Sequence, residues 1–363
     1  MDKKIQIIAI VGAMIFSVFV LTSPTNPIPL PEPNINSEND SVTILAENLD
    51  KPRSISISEN RIFVTEQDGF VRVIQNDILL DSPLATFRTA DVFDGGLIGI
   101  ELHPNFSNNH FIYVFLTYLD DGNLWNKIIR ITESDNKLSD SKIIFDKIPG
   151  SSFTNGGFLK FGPDEKLYVG TGTVSDASHL PQDLKSLSGK ILRLNDDGTT
   201  PDDNPFSNSP VYSLGFRNPQ GMTWDDDGNF YVAEFGPEKN DEINLVLAGK
   251  NYGWPEKQCS GNENFEAAIL CYDPSIEPGG ILFYSGDNFD FEFPFILASM
   301  RASNLYQLDF EEGLSSQKSI LSGIGRVRDV VQDTDGNLYV ITSNTDGKGF
   351  PDSTDDKLLR IIK

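Results

Sequence analysis

The stretches FGPDEKLYV (161–169), WDDDGNFYV (224–232) and QDTDGNLYV (332–340) follow one pattern: an acidic tight turn that feeds a short apolar-aromatic strand. Three more strands of this kind, IFV at 62, IYV at 112 and FIL at 295, complete a series starting at 62, 112, 167, 230, 295 and 338. Each is followed by a second strand: VRVI (71–74), IIRI (128–131), ILRL (191–194), INLV (243–246), LYQL (305–308) and LLRI (358–361). Most are also preceded by one, such as SISIS, IGIEL, FLKF, GMTW, ILFY and VRDVV. A lone antiparallel unit of this size cannot bury both of its faces, whereas six arranged radially can. The repeat therefore predicts an all-β, six-bladed β-propeller of four-stranded antiparallel blades. A large β-sandwich would not repeat the same internal order in every copy. VTILAENL (42–49) supplies a strand to the last blade, which ends at the C-terminus, and so removes an open edge. Helical patterns are nearly absent; QDLKSLSGK (182–190) suggests one short turn.

Composition agrees with a turn-rich β protein, since Gly (30) and Pro (21) are abundant and 39% of residues are hydrophobic. The formal net charge of −24 excludes nucleic acid and acidic lipid surfaces as partners. At the N-terminus a short basic region precedes the apolar run IQIIAIVGAMIFSVFVL (5–21). As a helix this run would span about 25 Å. Residues 1–22 are expected to be a signal peptide or, since no A-x-A site follows and Pro24 is a poor neighbour for cleavage, an N-terminal membrane anchor helix. The Pro/Asn-rich residues 23–41 read as a tether, and 42–363 as the propeller, placed outside the cytoplasm. Cys259 and Cys271 lack the companions of a zinc site and are expected to form one local disulfide.

In a propeller, the segments that enter the innermost strands converge on the axis at one rim. Here these are KPR (51–53), FDGG (93–96), FTNGG (153–157), GFRNPQG (215–221), EPGG (277–280) and GIGRVRDV (323–330). Arg217, Arg326 and Arg328 lie in them, and Arg301 follows the FILASM strand. Inward arginines in so acidic a chain point to an anionic ligand, unless each pairs with a neighbour such as Asp329. Gly236-Pro237 would turn carbonyl oxygens outward beside Asp241 and Glu242, the hard donors that suit calcium. The two D-x-D-G-N runs (225–229 and 333–337) resemble half an EF-hand loop, but they lack the closing Glu and sit in hairpins, so they read as turns. His103, His110 and His179 are scattered, and no nucleophile elbow, P-loop or dinucleotide fingerprint is present.

The run SLGFRNPQGMTWDDDGNFYVAEFGPEKNDEINLVLAGKNYGWP (213–255) resembles the glucose/sorbosone dehydrogenases, six-bladed propellers that carry pyrroloquinoline quinone (PQQ) and calcium. The likeness extends to GGLIGIELHPNF (95–106), GGFLKFGPDEKLYVGTG (156–172), QDLKSLSGKILRLNDDGTTPDDNPF (182–206), PSIEPGGILFYSGD (274–287) and GRVRDV (325–330). It implies that Arg217, Asn218, Arg301, Arg326 and Arg328 bind the quinone. It also implies that the Gly236 and Pro237 carbonyls bind the quinone's calcium, and that Asp241, Glu242 and the Tyr252 carbonyl serve a second calcium. The partners it implies are a small sugar or related alcohol and an external electron acceptor.

The chain departs from the family at several positions. The family's His-x-Gly-Gly-Arg, whose His is the general base, appears with Thr154 at the His position and Phe158 at the Arg position. Gly-Asp becomes Gly172-Thr173, a quinone-contacting Gln becomes Asp94, and Phe216 and Phe235 replace polar residues. Loss of a general base costs about 10²–10⁴ in rate; Asp94 is the one replacement carboxylate. Three readings follow: a quinoprotein sugar dehydrogenase with weak or altered activity, a non-catalytic propeller that binds a small anion or partner at the same rim, and a lactonase-type propeller. The third needs an acidic channel centre, which the entering segments mostly lack.

Overall fold

A computed structural model describes residues 34–35, 41–174, 179–310 and 316–363. The apolar run at 5–21 lies outside the described residues, and among those described no helix is long and apolar enough to cross a membrane. Six antiparallel sheets follow one another along the chain. Their innermost strands are Pro52–Ser58, Leu97–Leu102, Gly156–Phe161, Pro219–Trp224, Pro278–Phe283 and Val327–Gln332. Each packs against the next, and the sixth returns to the first, which closes a ring. The chain is thus the six-bladed propeller expected from the repeats.

The turn pattern has a local cause. Asp225 Oδ1 accepts the backbone N–H groups of Asp227 (3.0 Å) and Asn229 (2.8 Å), and its Oδ2 accepts the Tyr231 hydroxyl at 3.0 Å. Asp333 does the same for Asp335, Asn337 and Tyr339. The first Asp of the motif thus folds the turn and pins the strand's tyrosine, work that a metal ligand would not be free to do.

The apolar residues do not form one central core. They form six wedges, one between each pair of adjacent blades. Phe63 and Val71 pack on Leu97 and Ile112 between the first two blades, and Leu358 and Tyr339 pack on Ile55 and Val64 between the last and the first. Side chains stitch the inner strands across these wedges. Asp329 Oδ2 accepts the Ile55 N–H at 3.0 Å, Thr223 Oγ1 accepts that of Phe283 at 2.9 Å, and Thr65 Oγ1 donates to the Ile98 carbonyl at 2.8 Å. Ser41–Ala46 pairs antiparallel with Leu358–Ile362 as the outer strand of the sixth blade, as the closure argument required. Within the stretch read as a tether, Asn34 and Ile35 pair with Ser322 and Leu321 on the outer edge of blade five. Among the described residues, helix is confined to one turn at Phe106–Asn109 and a 3-10 turn at Leu180–Gln182, just ahead of the position expected.

Candidate functional site

Five of the six entering segments meet around a cavity of about 540 Å³ at one end of the ring. Arg53 comes from the first, Phe93 and Asp94 from the second, Phe153 and Thr154 from the third, and Arg217, Asn218 and Gln220 from the fourth. The fifth blade contributes Met300 and the sixth contributes Arg326, Arg328, Asp346 and Lys348. Five cationic side chains therefore face two carboxylates, inside a chain of net charge −24. Glu277, from the fifth entering segment, lies in an adjoining pocket of about 520 Å³ with Arg301 and Phe350.

The arginines are not equivalent. Arg301 is 46% exposed and bonds Glu277 Oε1 at 2.7 Å, so it lines the side pocket and not the central one. Arg326 is held by Glu277 and Asp346, each at 2.8 Å. Burial raises the Glu277 carboxyl, but Arg326, Lys348 and Arg301 together hold it below the usual glutamate range. Arg217 Nη1 donates to the carbonyls of Phe235 (3.1 Å) and Gly236 (2.9 Å). Arg328 is 4% exposed and has no carboxylate within ion-pair distance among the described residues. Its Nη1 lies 3.1 Å from Met300 Sδ, its Nη2 reaches Gln220 Oε1 only at 3.5 Å, and its Nε has no partner among the described residues. Burial, followed by repulsion from Arg53, pulls the Arg328 pKa down to about 9. Asp329, suggested by sequence as a partner for these arginines, instead spans blades six and one through Ser54 and Ile55.

Asp94 Oδ1 bonds Arg53 Nη2 at 2.7 Å, and its Oδ2 accepts the Thr154 N–H at 3.1 Å. Burial pushes its carboxyl up, but Arg53, Arg328 and Lys348 outweigh this and hold it below the ordinary aspartate range. Thr154 adopts φ +58°, a left-handed conformation that a β-branched residue takes only under constraint. Its hydroxyl donates to the Thr173 carbonyl at 2.6 Å, and the neighbouring Asn155 donates to the Asp94 carbonyl at 3.0 Å. Asn218 Oδ1 accepts the Gly156 N–H at 2.9 Å, so blade four holds the FTNGG loop of blade three. Gly157, at φ +98°, lies so close to blade two that a Cβ there would meet Ile98 Cγ2 at 2.7 Å. The two glycines let this loop descend onto the rim.

Behind Arg217 lies a cavity of about 10 Å³ lined by Glu234, Gly236, Glu242 and Tyr252. Glu234 accepts the N–H groups of Arg217 and Asn218, and Glu242 accepts that of Cys259 at 2.6 Å. Burial, and then the Glu242 charge, raise the Glu234 carboxyl well above the usual range, and burial raises Glu242 as well. Asp241 does not face this cavity. Its Oδ1 accepts the Gly236 N–H, and its Oδ2 accepts Ser275 Oγ and the N–H groups of Ile276 and Glu277. Cys259 and Cys271 are joined in a disulfide with a Cα–Cα distance of 5.6 Å, which braces the loop that carries the Glu242 partner.

This ring of entering segments, with arginines at the FRNPQG and GRVRDV positions, agrees with the sequence comparison. Residues 49–360 match the family model "Glucose / Sorbosone dehydrogenase". The chain belongs to the glucose/sorbosone dehydrogenase family. It is 29% identical to the aldose sugar dehydrogenase of Escherichia coli over 85% of this chain and 91% of that protein. It is 33% identical to quinoprotein glucose dehydrogenase B of Acinetobacter calcoaceticus over 60% of this chain and 53% of that protein. Among solved structures, the PQQ-bound aldose sugar dehydrogenase of Streptomyces coelicolor is 30% identical and superimposes with a TM-score of 0.79, over 90% of this chain and 99% of that one.

Arg53, Lys348, Gln220, Glu234 and Glu277 were not singled out from sequence. Arg53 was within reach, since it belongs to the first entering segment, and two of the other entering segments also carry arginines. Lys348 and Asp346 sit in a loop between strands of blade six, with no signal of their own.

Proposed function

We propose that the central pocket binds PQQ, and that the chain is a quinoprotein of the sugar dehydrogenase family whose aldose oxidation is weak. The observation that carries this reading is Arg328. A buried cation with no carboxylate partner and an unbonded Nε among the described residues is costly by itself and is relieved by a bound anion. PQQ, a planar tricarboxylate, suits a pocket in which five cations face two carboxylates. Arg53, Arg217, Arg326 and Arg328 would hold it, with Asn218 beside them and Arg301 reaching from the side pocket. When bound, PQQ supplies two-electron oxidising capacity, and the electrons pass on to an external acceptor.

Calcium belongs to the same proposal, and its two sites fare differently. The Gly236 carbonyl already accepts from the Arg217 guanidinium, so the Gly236-Pro237 carbonyls as arranged do not suit a second cation. Glu234 and Glu242 do suit one, because two buried carboxylates of raised pKa beside an atom-sized cavity are stabilised by a bound cation. Glu242 and the Tyr252 carbonyl are the expected contributors there; Asp241 is spent on backbone amides.

Among the described residues, neither position expected to supply a base is suited to take the proton of a sugar hydroxyl, and Asp346 is paired with Arg326. The Thr154 hydroxyl is a donor to Thr173, and a threonine is no base near pH 7. Asp94 is clamped by Arg53 and the Thr154 amide, and a carboxylate held below its ordinary range accepts protons poorly. The same observation favours the second reading, a ligand-binding propeller without turnover. For the N-terminus we propose a secretory signal or membrane anchor at 1–22, which places the propeller outside the cytoplasm; the disulfide supports this compartment. The test is absorbance titration of the purified chain with PQQ and Ca²⁺, followed by dye reduction with a panel of aldoses. Absence of PQQ binding refutes the quinoprotein reading, and binding without turnover selects the binding propeller.

A further inference from the structure

The mouth of the central pocket differs in chemistry from its floor. Phe93 and Phe153 stand at the rim, 50% and 58% exposed, on the loops that enter adjacent blades. Their ring centroids are 5.1 Å apart at an interplanar angle of 46°. Phe235 faces them from blade four. The Lys348 ammonium bridges the two aromatic banks, 5.7 Å from the Phe93 centroid and 5.4 Å from that of Phe235. Its nearest carboxylate oxygen, Glu277 Oε1 at 3.8 Å, already bonds Arg301 at 2.7 Å.

Several polar groups around this mouth are turned toward the protein. Thr154 Oγ1 donates to the Thr173 carbonyl, and Ser151 Oγ bonds the Phe153 carbonyl. Asn218 Oδ1 accepts both the Gly156 N–H and Gln220 Nε2, and both Asp94 oxygens are taken. A free aldose entering the pocket must exchange water for protein donors and acceptors around its ring, and the hydroxyls, amides and carboxylate named here are committed elsewhere. An aromatic ring makes no such demand. It gains from edge or offset contact with exposed phenylalanines, and an anionic substituent on it gains from the ammonium.

We propose that the mouth formed by Phe93, Phe153, Phe235 and Lys348 binds a small aromatic carboxylate or sulfonate in preference to a free sugar. The inference rests on the reading of this cavity as the family's ligand site and adds the class of molecule that passes its rim. The test is calorimetric titration of the full chain, with and without PQQ, using 2-naphthoate, cyclohexanecarboxylate and glucose. 2-Naphthoate is expected to bind about 10-fold more tightly than cyclohexanecarboxylate, with no displacement by glucose. Phe153→Ala and Lys348→Ala are each expected to weaken 2-naphthoate about 5- to 10-fold. Phe153 is 58% exposed and carries no charge, so Phe153→Ala should leave melting temperature and the PQQ titration unchanged. Equal affinity for the two acids, or displacement by glucose, overturns the proposal. So does loss of 2-naphthoate binding in Arg328→Met but not in Phe153→Ala, which would place the ring on the cationic floor. PQQ binding without 2-naphthoate binding overturns this inference alone; 2-naphthoate binding at the mouth without PQQ binding supports it while refuting the quinone reading.

Discussion

Replacing Arg328 with methionine should strengthen the free protein and cripple its anion binding. The side chain is buried, its closest polar contacts are Met300 Sδ and a 3.5 Å approach to Gln220, and its pKa is drawn down to about 9. At about 1.4 kcal/mol per decade of proton affinity, descent from the ordinary arginine range to about 9 corresponds to a ceiling of about 5 kcal/mol for holding that charge in the ligand-free pocket. Lost packing and relaxation reduce the recoverable part, and a gain of about 1–3 kcal/mol is expected. In thermal unfolding this is a rise of a few degrees in Tm. The same change removes a charged donor from the anion and should weaken PQQ about 100-fold or more. At a ligand concentration of about 100 times the wild-type Kd, the wild-type protein gains about 2.7 kcal/mol and a 100-fold weaker variant about 0.4 kcal/mol. Unfolding measured with and without PQQ reads both effects. A variant that is less stable when free and yet keeps the full ligand-induced gain would show that Arg328 is an internal strut, and the argument from its unpaired charge would fail.

Other perturbations probe other parts of the molecule. Thr154→His places an imidazole base at the pocket and relieves a β-branched residue at φ +58°. Dye reduction by aldoses should rise by about 10²-fold, with an acid limb in the pH profile near 6.5, and an unchanged rate argues that the defect lies elsewhere. Burial raises the Glu101 carboxyl to about 7 on an inner strand, so its contribution to stability is complete below the ordinary glutamate pKa and is lost as pH rises through 7. Denaturant titrations should show about 2 kcal/mol lost between pH 5 and pH 8 from this group, and Glu101→Gln should remove that loss. Replacing Cys271 with serine opens a crosslink spanning 12 residues. It should cost about 2–3 kcal/mol and weaken any calcium-dependent rise in Tm, because Cys259 donates to Glu242.

The propeller was legible because its information is local and repeated. Asp225 and Asp333 each fold their own turn and pin a tyrosine six residues on, so the motif reads the same wherever it occurs. The six strand triplets, and the strand at 41–46 that completes the last blade, follow from the same periodicity. The rim was legible too, since any segment entering an inner strand must reach the axis. Residue pattern alone thus determined the architecture and the end of the ring at which the entering segments gather, whereas the departures at Thr154 and Asp94 were read against the family resemblance.

Partnership within the site was decided elsewhere. Asp94 meets Arg53, 41 residues away, and Asp329 meets Ile55, 274 residues away, across boundaries between blades. Such pairs exist only because the ring closes, and no local pattern specifies which carboxylate will face which cation. Asp241 and Glu242 are neighbours in sequence, yet alternation along one strand sends the first into backbone amides and the second toward the small cavity. Arg301, after the FILASM strand, and Arg328, in an entering segment, were both expected to face the ligand. Closure of the propeller gave one a carboxylate and some solvent, and left the other buried without a carboxylate partner, because desolvation and partner geometry are properties of the assembled ring.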